Sequence, residues 1–229
     1  VEYAGATGLF LEENPKRILL PDREDTAKAV ILCMGAHARS LGIPREDELM
    51  GAGISYCATC DGAFFKEKAV AVVGGGDTAV SDALYLSRFC TSVTIVHRRD
   101  EFRAAAVLVE KARTIPNIHF ATPCIPLNLL GEKNVEGLEI MDLKTSVPRT
   151  LPVSGVFVAV GITPQSALVK GVVNMNEGGS ILTDELMKTN IPGVYAAGDI
   201  RNTPLRQVIT ACADGAVAAT SALEFMSCH

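Results

Sequence analysis

Apolar and polar positions along the chain fall into short blocks, and the clearest series of blocks lies in its first half. Residues 69–73 (Ala-Val-Ala-Val-Val) are a β-branched run that stops at Gly74-Gly75-Gly76. From Asp77 to about Phe89 the apolar positions Val80, Ala83 and Leu84 recur at i, i+3, i+4, which predicts a helix. A second strand is predicted over residues 93–96. A second amphipathic helix is predicted from about Glu101 to Arg113, ended ahead of Pro116. Strand, glycine turn, helix and strand within about thirty residues make a βαβ unit, which requires a parallel sheet covered on both faces.

Farther along, residues 125–130 and 135–143 flank Gly131-Glu-Lys-Asn134 and predict an antiparallel hairpin, so one all-parallel sheet does not account for the chain. Residues 29–35, 155–161 and 193–198 are three further apolar strands, closing on Gly35, Gly161 and Gly198. Strands that end on glycine suit a repeated nucleotide-type α/β architecture, in which backbone approaches a ligand at strand C-termini. Gly, Pro and small polar residues gather at residues 36–41 and 163–166, where hinges are expected.

Composition narrows the class. With 48% hydrophobic and 21% charged residues among 229, the chain is ordered and holds one large or two small domains. Its 21 basic and 26 acidic residues give a net charge of −5, which leaves no basic field for nucleic acid. No continuous apolar run approaches the ~18 residues of a membrane span, so no membrane segment is expected. Seven scattered cysteines, an odd number, point to a reducing cytoplasm and mostly free thiols. The chain begins at Val1, which suggests a fragment.

Three motifs carry chemistry. In the first, Gly74 permits a tight turn, Gly76 lets a pyrophosphate reach the backbone, and Ala79 allows close helix–strand packing. The helix N-terminus at Asp77 offers N–H groups to an anion, so this is a dinucleotide site. About twenty residues on, where an NAD site has an acid, the sequence reads His97-Arg98-Arg99, with Arg103 beyond. Guanidiniums there pair with a 2′-phosphate and select NADPH; the bland alternative is a solvated basic patch at a helix start.

The second motif is Cys57-Ala-Thr-Cys60-Asp61-Gly62. It suits a redox dithiol, half of a zinc site, or an incidental pair of buried thiols. Neither a second Cys pair nor spaced histidines complete a zinc site, and no metal is expected. Asp61 disfavours a thiolate beside it but can give and take a proton; it could equally cap a helix. The third motif is Gly198-Asp199 followed by Arg206-Gln207-Val208. The acid can bond sugar hydroxyls, and a helix starting near Arg206 would face an anion. His37, His119 and His229 read as structural or surface residues.

Together, Cys57-Ala-Thr-Cys60-Asp61-Gly62, Val73-Gly-Gly-Gly-Asp77-Thr78-Ala79, His97-Arg-Arg-Asp-Glu-Phe-Arg103-Ala104, Ala196-Ala-Gly-Asp199 and Arg206-Gln-Val-Ile-Thr210 resemble the low-molecular-weight thioredoxin reductases. The resemblance implies two Rossmann-like domains with parallel sheets plus antiparallel segments, the NADPH domain inserted in the FAD domain. By that likeness residues 1–38 and 165–229 belong to the FAD domain, and residues 39–164 bind NADPH and carry the dithiol.

It further implies electron flow from NADPH through FAD to a Cys57–Cys60 disulfide and on to thioredoxin. Cys60 would lie nearer the flavin, Cys57 would attack thioredoxin, and Asp61 would be the acid. Gly74, Gly76, Asp77, Thr78, Ala79, His97, Arg98, Arg99, Arg103 and Gly161 would hold nucleotide. Gly198, Asp199, Arg206, Gln207 and Val208 would hold FAD. Homodimers are usual in that family.

Two departures stand out. The family's N-terminal Gly-rich FAD unit is not found ahead of Val1. Met34 also stands where the family usually has Thr, and it cannot make the threonine's hydrogen bond. Alternatives are a flavin-dithiol reductase serving another partner, peroxidase-linked or ferredoxin-fed, and an inactive NADPH-binding fragment.

Overall fold

A computed structural model describes residues 4–228; His229 lies outside them. The chain divides into two compact units, residues 38–161 and residues 1–37 with 162–229.

Residues 38–161 are built on a five-stranded parallel sheet in the order Ile54–Ser55, Gly155–Val158, Ala69–Val73, Ser92–Val96, Ile118–Ala121. Strand residues point alternately to the two faces, and the sequence fills both. Val70, Val72, Val93, Ile95 and Phe157 pack on one face with Val80, Ala83 and Leu86 of the Asp77–Leu86 helix. Ala71, Val73, Val96, Val156 and Val158 pack on the other, under Leu129, Leu138 and Ile140 of an antiparallel layer. That layer comprises Cys124–Leu130, Gly137–Asp142 and Pro148–Leu151; the predicted hairpin is its first two strands.

The second predicted helix starts later than the periodicity suggested, at Ala106 rather than Glu101. The reason is local. The N–H groups of Arg103 and Ala104 donate to Gly75 O (2.8 and 3.1 Å), and Ala105 N–H donates to Asp77 Oδ1 (2.7 Å). These backbone groups are tied to the glycine turn, and the stretch from His97 to Ala105 is loop. Arg98, Arg99 and Arg103 therefore do not lie at a helix start. The first helix ends at Leu86, short of Phe89, because Arg88 and Phe89 N–H bond to carbonyls three residues back instead of four.

In the other unit, Gly8–Phe10, Lys16–Leu19 and Glu24–Ala27 form an antiparallel sheet. Val30–Leu32 and Val194–Ala196 form a parallel pair. Met34 packs against the core cluster that contains Leu32, Val194 and Ala196, so its side chain contributes an apolar contact. By length and composition alone the helix Val208–Cys228 could cross a membrane, a test that core helices of soluble proteins also pass, so the expectation of no membrane segment is not overturned. Alanine, glycine and hydroxyl residues break up its apolar pattern, but only Asp214 and Glu224 carry charge. Just 17% of its apolar window is buried.

Candidate active site

Cys57 and Cys60 close a disulfide across the four-residue helix Ala58–Asp61. Cys57 is the residue that caps this helix, its Sγ accepting Cys60 N–H at 3.2 Å. Cys57 is half-buried and Cys60 exposed. Asp61 flanks the following 3-10 turn Gly62–Phe65 but makes no side-chain capping bond there. Its Oδ2 instead accepts the hydroxyl of Ser55 at 2.7 Å, so the capping alternative does not describe it.

The segment before the disulfide is firmly held. Tyr56 OH donates to Glu46 Oε1 (2.7 Å), and the buried Glu46 carboxylate also accepts the N–H groups of Leu41 and Gly42. On the other side Phe64 stands 74% exposed, four residues beyond Cys60. Glu46, Ser55 and Phe64 carried no signal in the linear motifs; only the strand ending at Ser55 brings its hydroxyl to Asp61.

The glycine turn after Ala69–Val73 opens into a cleft of about 490 Å³ lined by Gly74, Gly75, His97, Arg98 and Arg103, among others. Gly74 is needed by geometry: its φ is +156°, and a Cβ there would press on Ala79 Cβ and the Ala159 backbone. A Cβ on Gly75 would overlap the His97 imidazole, while Gly76 faces open space. Asp77 and Thr78 are exposed at the helix start.

His97 lies against Phe102, ring centroids 5.2 Å apart, and its Nε2 is buried without a hydrogen-bond partner. Burial, and then the positive charges of Arg103, Arg98 and Arg99, hold the imidazole below its ordinary pKa against an opposing bond to the Glu101 backbone. Arg99 is exposed and does not line the cleft, nor does Gly161, whose O accepts Arg39 N–H at 3.0 Å. Arg39 and Ser40, absent from the motif reading, do line it.

The third group sits in the other unit. Gly198, at φ +77°, follows Val194–Ala196 and donates its N–H to Asp214 Oδ2 at 3.1 Å. The same oxygen pairs with Arg201 Nη1 at 3.0 Å, and Arg201 Nε donates to Thr183 Oγ1. Asp199 is half-buried in the turn Gly198–Ile200. The long helix begins at Val208, so Arg206 and Gln207 precede it; Gln207 N–H is taken by Thr210 Oγ1 at 3.1 Å. Arg206 Nε is buried with no partner, and Val208 is 82% exposed.

A family profile for pyridine nucleotide-disulphide oxidoreductases matches residues 4–215. The chain belongs to that family. Within it the relatives are thioredoxin reductases. The enzyme of Peptoclostridium acidaminophilum is 47% identical over 212 residues, 90% of this chain and 67% of the relative. That of Streptomyces clavuligerus is 45% identical, covering 88% of this chain and 63% of the relative. Among solved structures, thioredoxin reductase from Streptococcus pyogenes superposes with a TM-score of 0.91 at 37% identity, over 99% of this chain and 74% of that one. The enzyme from Giardia duodenalis gives 0.93 at 34% identity, over 99% and 75%.

Thioredoxin reductases of this family use FAD and NADPH. The residues present fit such groups. Two buried, unpartnered nitrogens, His97 Nε2 and Arg206 Nε, are polar atoms that a native structure normally satisfies. Beside the first lie two cleft arginines suited to phosphate and open space over Gly76.

Proposed function

We propose that this chain is a thioredoxin-disulfide reductase that passes electrons from NADPH through FAD to the Cys57–Cys60 disulfide and then to thioredoxin. The observation that carries this reading is the closed disulfide followed by a carboxylate that is held by a side chain rather than spent on a cap. FAD and NADPH supply the pair of electrons that opens the disulfide; the protein's residues handle binding, orientation and protons.

Gly74, Gly76, Asp77, Thr78 and Ala79 form the turn and helix start that receive the NADPH pyrophosphate. Arg98 and Arg103 pair with its 2′-phosphate, Arg99 adds long-range charge, and His97 lines the same cleft. Gly161 keeps the strand end beside this site free of side chain. Gly198 and Asp199 serve the sugar–phosphate part of FAD, and Arg206, Gln207 and Val208 its ring, with the Arg206 charge available to an anionic edge.

Residues 39–164 form the NADPH domain, and residues 1–38 with 165–229 contribute to the FAD domain. In the reduced pair, Cys57 attacks a substrate sulfur, Cys60 resolves the mixed disulfide, and Asp61 protonates the departing thiolates. The protein acts in the cytoplasm as a homodimer. The test is NADPH-dependent reduction of thioredoxin with FAD supplied. Cys57→Ser and Cys60→Ser are each expected to abolish turnover, and full activity in either variant refutes the proposal.

A further inference from the structure

A dithiol that reduces a disulfide hands over two electrons and two protons, one proton to each departing thiolate. Two things must hold for a single carboxyl group to serve both departures. It must be protonated and deprotonated twice per turnover, and its surroundings must tolerate both states. In a partly buried site the second condition is demanding, because any hydrogen-bond partner arranged for a carboxylate is mismatched when that carboxylate takes up a proton.

Ser55 meets this condition. It is the last residue of the strand Ile54–Ser55, is buried, and is fixed by parallel pairing with Phe157. Its Oγ lies 2.7 Å from Asp61 Oδ2, 3.0 Å from Cys57 N and 3.3 Å from Cys57 O. A hydroxyl has one proton to donate and two lone pairs to accept with.

When Asp61 is ionised, Ser55 donates to Oδ2 and accepts Cys57 N–H. When Asp61 is protonated, its O–H donates to Ser55 Oγ along the same 2.7 Å line, and the serine proton turns to Cys57 O. Both lone pairs of Oγ are then filled, by Cys57 N–H and Asp61 O–H. In both states Oγ keeps its contacts to Asp61 and to the Cys57 backbone, whose O also accepts the N–H groups of Cys60 and Asp61.

We propose that Ser55 is a positioning residue for the proton on Asp61, a hydroxyl that reverses its direction each time the carboxyl group gains or loses a proton. This rests on the reading of Asp61 as the acid. The Cys57 proton passes to Asp61, and Cys57 thiolate attacks the substrate disulfide. One S–S bond forms as another breaks, and the first substrate thiolate leaves with the Asp61 proton. Asp61 then takes the Cys60 proton, and Cys60 attacks Cys57 Sγ. The Cys57–Cys60 bond re-forms, and the second thiolate leaves with that proton. The dithiol is oxidised by two electrons, the substrate disulfide is reduced by two, and Asp61 ends ionised as it began.

The test needs neither FAD nor NADPH. The full chain is reduced with a phosphine, desalted anaerobically, and mixed across a range of pH with two disulfides. One is aliphatic, oxidised glutathione, whose departing thiolate needs a proton. The other is the aromatic 5,5′-dithiobis(2-nitrobenzoate), whose far more acidic thiol leaves unaided. In Ser55→Ala the aliphatic reaction is expected to slow by about tenfold or more, as loss of a positioned proton donor does. The aromatic reaction should slow much less, because there only the uptake of the Cys57 proton, and not the protonation of the leaving thiolate, depends on Asp61.

Ser55→Thr keeps the hydroxyl and should keep the wild-type ratio of the two rates, which also serves if Ser55→Ala does not fold. In an Asp61→Asn background Ser55→Ala should add nothing further. Equal slowing of both disulfides, an unchanged aliphatic rate in Ser55→Ala, or loss of the ratio in folded Ser55→Thr would overturn the proposal. A wild-type chain that reduces neither disulfide would instead refute the dithiol reading beneath it.

Discussion

Each unit of the molecule has an apolar strand that closes on a glycine with positive φ, yet the two ends are secured by opposite means. In residues 38–161 the turn at Gly74 leads directly into Asp77–Leu86, whose Ala79, Val80, Ala83 and Leu86 are completely buried. Apolar packing holds this turn, joined by uncharged hydrogen bonds from Gly74 N–H to Val96 O and from Arg103 and Ala104 N–H to Gly75 O. In the other unit Gly198 precedes its helix by ten residues, and that helix shows solvent Val208, Ile209 and Leu223. Here the turn is held by one ion pair, Arg201 with Asp214, whose side chains are only 12% and 14% exposed. A glycine-ended strand is thus a local solution that says little about what fixes it.

The largest effect expected from this difference is at Asp214. Asp214→Ala removes the acceptor of Gly198 N–H and leaves Arg201 buried without its partner, which should cost about 3–5 kcal/mol. Urea unfolding followed by a probe in each unit would show the loss. A cost below about 1 kcal/mol would mean that the helix face, not the ion pair, secures the turn.

Next come the cleft arginines. Arg98→Ala and Arg103→Ala should each weaken NADPH by about 1.5–3 kcal/mol, roughly ten- to a hundredfold, while leaving NADH nearly unaffected. Arg99→Ala should do less, because Arg99 does not line the cleft. Titration of both nucleotides onto each variant separates these outcomes. Equal losses for NADPH and NADH would remove the 2′-phosphate from the account.

The smallest effect concerns Asp82 on the buried helix. Burial raises its carboxyl pKa from 3.8 to about 6. Between those values the folded chain holds a proton that the unfolded chain has released, so stability falls as pH rises through that interval. Asp82→Asn should therefore stabilise the protein by about 1 kcal/mol near pH 8, after discounting for the part-exposed carboxyl, and by almost nothing below about pH 4. Unfolding midpoints at the two pH values check this, and a gain that is equal at both would contradict it.

The centre of the parallel sheet was legible because Val70, Val72, Val93 and Ile95 lie in short β-branched runs, the first of them ending on glycine, whereas the edge strands Ile54–Ser55 and Ile118–Ala121 carried no such pattern. The start of the second helix was not. Residues 101–105 have helical periodicity, but Gly75 O and Asp77 Oδ1, distant in sequence, take their N–H groups. The helix expected to start near Arg206 begins at Val208, and its hydropathy comes from many small residues rather than from a block of large ones.

In the candidate site, Cys57, Cys60 and Asp61 announce themselves by spacing. Ser55, Glu46 and Asp214 do not, because a lone serine or carboxylate acquires meaning only through what the fold sets beside it. Arg98 and Arg99 look equivalent in sequence, and only the geometry of the cleft distinguishes them.

The central claim, that Cys57 exchanges with thioredoxin and Cys60 resolves the product, is tested most directly by trapping. Cys60→Ser, reduced and mixed with oxidised thioredoxin, should accumulate a stable mixed disulfide that peptide mapping places on Cys57, while Cys57→Ser should give none by this route. No adduct in Cys60→Ser, or one carried by Cys33, Cys212 or Cys228, the other exposed thiols, would contradict the account.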